Sequence, residues 1–173
     1  SGDPHDYYHP APYWWPNPDT PDGYPYVNRD GERVPGTRLY EAESDRYDRT
    51  RLERVFHDTT ILALAWLSDG QRVRIDHAAR LIRGWFLDPD TRMNPHLIYA
   101  QIRSKSPQDI GTSSGVIEMK DLYYFLDAIR IVEDAGALTD DEKASLREWL
   151  KEYLEWLQGS QQGQKEHKTR NNH

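Results

Sequence analysis

The stretch LERVFHDTTILALAWLSDGQRVRIDHAARLIRGWFL, residues 52–87, contains two consecutive helical patterns separated by a glycine. In each half the apolar residues recur at intervals of three and four, which places them on one face of a helix. Gly70 is typical of a helix end, and the chain continues into the second pattern after a short turn. The stretch therefore predicts two antiparallel helices, over residues 45–68 and 71–87.

Two more helices are predicted further along the chain. After a loop over residues 89–114, an apolar stripe predicts a third helix over residues 115–134. The fourth begins at a capping box, in which Thr139 is followed three residues later by Glu142. Residues 160–173 are polar and have no apolar anchor, which predicts a frayed tail.

The beginning of the chain has a different composition from the rest. Eight of the eleven prolines fall within residues 1–36, so helix is excluded there and an extended, irregular segment is expected. This segment is also rich in Tyr and Trp, whose rings need a surface to lie on. We therefore expect a mainly α protein with an aromatic arm over residues 1–40 and antiparallel helical hairpins over residues 41–173.

Composition excludes several classes of function. The chain has 173 residues and a formal net charge of −7, which argues against a nucleic-acid binder that uses a basic surface. No apolar run approaches the roughly 20 residues of a membrane span, so we expect no membrane association. The chain contains no Cys, and its histidines lack the spacing of metal ligands, so we expect neither a metal nor another cofactor.

The arm contains the most distinctive local motif. Tyr13, Trp14 and Trp15 are consecutive rings in a segment restricted by proline. Sugars have apolar C–H faces that stack on such rings, so the motif is typical of a carbohydrate cleft, although rings that only pack against the helices give the same pattern. Just before it, His5 and Asp6 offer an imidazole and a carboxylate for proton transfer, or else a hydrogen-bonded turn.

Four blocks follow one another along the chain: SGDPHDYY with PYWWPNP and PDGYPY near the start, MNPHL with YAQ, then GTSSGVIE, and finally NNH. Together they resemble the alginate-lyase-like polysaccharide lyases, a family with an α/α toroid fold. The resemblance implies that the helices form part of such a toroid. It also implies that the protein binds an anionic polysaccharide, alginate or a related 4-linked polyuronate such as glucuronan, and cleaves it by β-elimination.

The same resemblance implies roles for individual residues. It implies that Asn172 helps to neutralise the substrate carboxylate, with Asn171 as its neighbour, and that His173 takes part in proton abstraction. It also implies that the aromatic motif stacks on the substrate in the cleft. The other substrate-binding residues that it implies are His5, Asp6, Tyr7 and Gln101.

Two departures from the family pattern affect these expectations. Pro4 occupies the place where a Lys is common, and family members continue beyond the Asn-His block, where they supply an Arg and a Tyr. We therefore expect the chain to be a piece of a larger monomeric lyase that is secreted or periplasmic. Because the net charge opposes a polyanion, local cations have to hold it. The candidates are Arg103, Lys105, Lys165, Lys168 and Arg170.

Two other functions stay open at this point. A carbohydrate-binding protein without catalytic activity could use the same aromatic arm. A glycoside hydrolase on an α/α scaffold would need two acids across one cleft, for which Asp6 and Glu118 are candidates.

Overall fold

The computed structural model describes residues 2–169, and helices dominate it. Its α-helices are α1 (Asp48–Asp69), α2 (Arg72–Ile82), α3 (Leu122–Asp134), α4 (Asp140–Gly159) and α5 (Gln161–Thr169). Its strands are short: β1 (Tyr8–Pro10), β2 (Trp14–Trp15), β3 (Val27–Asn28) and β4 (Tyr99–Ile102). The prediction of a mainly α protein is thus confirmed.

Helices α1, α2 and α4 lie close to their predicted positions. The chain continues from α2 through a wide turn of π-helix over Arg83–Leu87 before it leaves the helix. The third helix differs, because α3 begins later than predicted and a 3-10 helix, Ser113–Met119, precedes it. Gly115 in this 3-10 helix lies so close to Ala100 that a Cβ added to it would come within 2.6 Å of the Ala100 carbonyl oxygen.

The predicted frayed tail is wrong for the part of it that the structure describes, because α5 is an ordered helix over Gln161–Thr169. Its anchor is polar: the Gln162 side-chain amide donates to the carbonyl oxygens of Ile98 and Gly111 at 3.1 and 2.9 Å. Gly163 packs against the backbone of Leu157, where a Cβ would come within 1.8 Å of the carbonyl oxygen. An apolar pattern could not indicate a helix held in this way.

The arm is extended, as predicted, but parts of it pair into strands. β1 runs parallel to β4, with Tyr8 opposite Tyr99 and His9 opposite Ala100. β2 runs antiparallel to β3, with Trp14 opposite Asn28. The aromatic motif therefore has a fixed backbone, although prolines flank it.

The described chain divides into two compact units. Unit 1 contains residues 2–51, 96–118 and 157–169, and unit 2 contains residues 52–95 and 119–156. The core of unit 2 combines aliphatic and aromatic side chains, and the rings of Phe56 and Phe125 stack in it at 4.6 Å between centroids. The sequence-based division at residue 40 stays a prediction. Within residues 2–169, no helix is both long enough and apolar enough to cross a bilayer.

Candidate functional site

A cavity of about 300 Å³ opens in unit 1 beside the aromatic motif. Its walls are rings, prolines and aliphatic side chains, together with one serine and one arginine, Arg46. No carboxylate lines it within the described residues. We call it the aromatic cavity, and its rings are Tyr8, Trp14, Trp15, Tyr26 and Tyr47.

Strand β1 forms part of the wall. Side chains alternate between the two faces of a strand. Accordingly Tyr8 and Pro10 line the cavity, whereas His9 between them is fully buried. The Tyr8 backbone N–H donates to Oδ2 of Asp48 at 2.8 Å, so α1 also fixes this strand.

Guanidinium groups lie over four rings of the arm and the cavity. Such cation–π contacts combine a positive charge with a flat apolar surface. The distances from Cζ to the ring centroid are 5.3 Å for Arg33 on Tyr13, 5.3 Å for Arg103 on Trp14, 5.6 Å for Arg29 on Trp15 and 5.9 Å for Arg46 on Tyr47.

A second polar feature of unit 1 is a buried carboxylate, that of Glu118, which is 1% exposed. The Tyr7 hydroxyl donates to its Oε2 at 2.6 Å, and the Gln101 amide donates to its Oε1 at 3.1 Å. Nδ1 of His9 lies 3.3 Å from Oε1, and Nε of Arg49 lies 3.6 Å from Oε2. We call these five residues the Glu118 network.

The network sets the protonation of its members. Burial acts to raise the pKa of Glu118, but the contact with His9, the charge of Arg49 and the Tyr7 hydroxyl outweigh it and hold that pKa below its ordinary value. Burial, followed by the negative charge of Glu118, raises the pKa of Tyr7 well above its ordinary value. At neutral pH the carboxylate is therefore ionised and the phenol is protonated.

The structure places the predicted substrate-binding residues in different surroundings. Trp14 and Trp15 lie together on the wall of the aromatic cavity, and Tyr13 is half-buried beneath Arg33. Oδ1 of Asp6 lies 3.3 Å from Nε2 of His96. This contact pairs the Asp6 carboxylate with an imidazole 90 positions along the chain.

The remaining predictions concern polar residues. His5 is half-buried and its backbone N–H donates to Asp3 at 2.9 Å. Tyr7 and Gln101 meet at the Glu118 network, where both side chains are already engaged, and Gln101 also accepts from the Ser114 hydroxyl at 3.3 Å. This placement favours structural roles for Tyr7 and Gln101, and their roles in substrate binding stay predictions. Residues 171–173, which hold the predicted Asn171, Asn172 and His173, lie outside the described residues.

Gln101 also has an unusual backbone conformation. Its φ of 53° and that of Ser104, 49°, lie in the left-handed region, which costs roughly 1–3 kcal/mol for such residues. Strain of this kind persists where the surroundings hold it in place, and it is frequent at binding sites. The backbone of residues 101–104 is therefore held in this conformation by its contacts, because Gln101 and Ser104 do not favour it by themselves.

The sequence does not predict several residues of the site. His9 and Arg49 of the Glu118 network, and Arg46 of the cavity, carry no motif that marks them. Arg103 and Lys105 were candidate cations and are exposed, as are Lys165 and Lys168 on α5, while Arg170 lies outside the described residues. Within residues 2–169, no group of three or more His, Asp and Glu side chains could hold a metal ion.

Comparisons with known proteins agree with the blocks of the sequence. The family model described as Alginate lyase matches residues 1–173. Among solved structures, the chain is similar to an alginate lyase from Bacteroides ovatus, with 35% sequence identity and a TM-score of 0.85 over 99% of this chain and 43% of that chain. The chain thus spans less than half the length of that protein, and no protein of curated function matches it. The chain belongs to the alginate lyase family.

Proposed function

We propose that this chain is part of a polysaccharide lyase that cleaves a 4-linked uronate polymer, alginate or a related polyuronate, by β-elimination. The aromatic cavity is the observation that carries the proposal. It combines stacking surfaces with arginine, and no carboxylate from the described part of the chain lines it, although the chain has 29 Asp and Glu residues. Such a lining suits a sugar that carries a negative charge.

The reaction needs a base, an acid and a group that stabilises the carboxylate. The base removes the proton from C5, the electron pair of that bond forms the C4–C5 double bond, and the C4–O bond breaks as its oxygen takes a proton. A hydrogen-bond donor aimed at the developing negative charge is worth roughly 3–4 kcal/mol in comparable sites. In this proposal Asn172 is such a donor and His173 is the base, a role that imidazole groups commonly take at neutral pH.

Tyr7 is not assigned a role in proton transfer. A phenol commonly serves as the acid in such a reaction, but the Tyr7 hydroxyl is buried and donates to Glu118. We propose instead that Tyr7 and the rest of the Glu118 network fix the strand that carries Tyr8 and Pro10.

The test follows the unsaturated uronate product by its ultraviolet absorbance. The full-length protein is incubated with polymannuronate, polyguluronate and glucuronan, and we expect absorbance to grow with at least one of them. His173→Ala should lower turnover by roughly 10²–10⁴-fold with a modest change in binding. His57→Ala is the matched control, because the His57 side chain is 59% exposed on α1, and it should leave turnover unchanged.

The alternatives give different products. A His173→Ala variant with wild-type turnover would contradict the role of His173. Saturated reducing ends would indicate a hydrolase, which the structure does not favour, because Glu118 is buried and ionised and so is a poor general acid. Binding without any product would indicate a carbohydrate-binding protein, for which the aromatic cavity is equally suitable.

A further inference from the structure

We infer that the aromatic cavity binds one uronate residue of the polymer and that Arg46 and Arg103 bind its carboxylate. The inference rests on the proposed function for the class of substrate. It goes further by naming the two residues that distinguish an acidic sugar from a neutral one.

The first step is the match of the cavity to one charged sugar. Its volume of about 300 Å³ lies at the lower end of the range for small-molecule sites. The rings of Trp14, Trp15 and Tyr47 line the cavity, and because a guanidinium lies over one face of each ring, only the opposite face can stack on the apolar face of a sugar ring. No carboxylate lines the cavity within the described residues, so an anion that enters it meets no like charge on the wall.

The second step concerns Arg46, which lines the cavity and lies over the ring of Tyr47. It also pairs with Glu43, with 3.2 Å between Nη1 and Oε2. Both side chains of this pair are about 60% exposed, and such surface pairs contribute only about 0–1 kcal/mol. A substrate carboxylate can therefore take the place of Glu43 at little cost.

The third step concerns Arg103, whose Cζ lies 5.3 Å from the centroid of the Trp14 ring. Arg103 does not itself line the cavity; its place beside the cavity comes from this contact with Trp14, which is a lining residue, as are Ile102 and Ser104 on either side of Arg103. The Tyr26 backbone N–H donates to the Ser104 carbonyl oxygen at 3.0 Å, which ties this strained turn to another wall residue.

Arg103 is also available to a ligand. Within residues 2–169 it forms no ion pair, and the side chain is exposed. A guanidinium presents two parallel N–H groups that match a carboxylate, and stacking on Trp14 holds its plane. Lysine offers neither feature.

The test measures equilibrium binding by calorimetry with two trisaccharides. One is an oligouronate, and the other is the same oligomer after its carboxylates have been reduced to alcohols. Both are measured with the full-length protein in the His173→Ala background, so that turnover does not consume the ligand. We expect Arg46→Gln and Arg103→Gln each to weaken binding of the oligouronate by about tenfold or more and to leave the reduced oligomer within about twofold.

Two further variants complete the design. Arg103→Lys keeps the charge but loses the flat fork, so we expect an intermediate loss for the oligouronate. Arg130→Gln is the matched control, because the Arg130 side chain is 77% exposed on α3 and pairs with Asp127 on the same helix, and it should bind like the parent. Thermal unfolding checks that each variant is folded.

Oligouronate binding unchanged in both Gln variants would overturn the inference, and so would equal losses for the two trisaccharides. Failure of the parent to bind the oligouronate would overturn it as well. The lyase proposal fails on a separate measurement, the absence of unsaturated product from the wild-type protein, so the two failures are distinguishable.

Discussion

The Tyr7 hydroxyl donates to Glu118 over 2.6 Å, although 111 residues separate the two in sequence. Both side chains are buried, and the hydrogen bond gives each polar group a partner. Burial of either group without a partner would cost free energy. The family resemblance groups Tyr7 with His5 and Asp6 as substrate-binding residues, and that role stays a prediction. A sequence motif does not show which way a side chain faces, and the Tyr7 side chain is buried.

We expect Tyr7→Phe to destabilise the protein by about 1–3 kcal/mol, because it leaves the buried Glu118 carboxylate with one donor fewer. Turnover measured well below the unfolding temperature should stay near that of the wild type. The measurements are urea unfolding and initial rates of product formation. Tyr123→Phe is the control, since Tyr123 is 70% exposed, and it should change neither. Normal stability with lost turnover would indicate that Tyr7 contacts the substrate after all.

At the level of elements, the start of α4 combines a capping box with an ion pair. The Thr139 backbone N–H donates to Oε2 of Glu142 at 2.8 Å, and the Glu142 N–H donates to the Thr139 hydroxyl at 3.2 Å. Oε1 of Glu142 also accepts from Nε of Arg83 at 2.5 Å. The hydrogen bond from Arg83 lowers the pKa of Glu142 from 4.5 to about 2. Burial acts in the opposite direction but is weaker, and the hydrogen bonds with Thr139 lower the pKa further.

This shift predicts how stability depends on pH. A carboxyl whose pKa is lower in the folded state stabilises the protein above its ordinary pKa of 4.5 and loses that effect as pH falls towards about 2. Glu142→Gln should therefore lower the melting temperature at pH 7 by roughly 2–4 °C, and the difference should shrink between pH 4.5 and 2.

Calorimetric melting at several pH values checks this expectation. Glu148→Gln is the control in the same helix, because Glu148 pairs with Lys151 while both side chains are more than half exposed. It should have little effect at any pH. A difference for Glu142→Gln that is as large at pH 2 as at pH 7 would contradict the assignment.

The sequence predicted those elements whose cause is local. The capping box and the apolar stripes act within a few residues, so α1 to α4 were found. Helix α5 was not, because Gln162 anchors it to carbonyl groups 64 and 51 residues away in sequence. The same holds for the site. The stacking motif was visible as a run of rings, whereas the arginines that cover these rings come from separate segments, and no local pattern predicts which ring each one meets.

For the whole molecule, the contrast is between the net charge and the cavity. The chain has a formal net charge of −7, which would repel the proposed polyuronate substrate at long range. The lining of the aromatic cavity carries no negative charge within the described residues and includes Arg46. Under the proposed function, the attraction between cavity and polyuronate is therefore short-ranged, and the repulsion acts over the longer distances that salt screens first.

We expect added salt to speed the association of an oligouronate, unlike the usual behaviour of oppositely charged partners. Between about 10 and 150 mM ionic strength the Debye length falls from roughly 30 to 8 Å, so the long-range repulsion is largely removed. The association rate constant should rise roughly two- to fivefold, as measured by stopped-flow tryptophan fluorescence. The carboxyl-reduced oligomer is the control and should show no salt dependence. A rate constant that falls with salt would show that the arginines dominate the field even at a distance.

The three residues of strand β1 contribute to both the Glu118 network and the aromatic cavity. His9 belongs to the Glu118 network, while Tyr8 and Pro10 on either side of it line the cavity. A slip of one residue against β4 would exchange these faces and place rings where the carboxylate requires an imidazole. The wall is thus preorganised, so binding of the proposed sugar would order few protein groups and lose little conformational entropy.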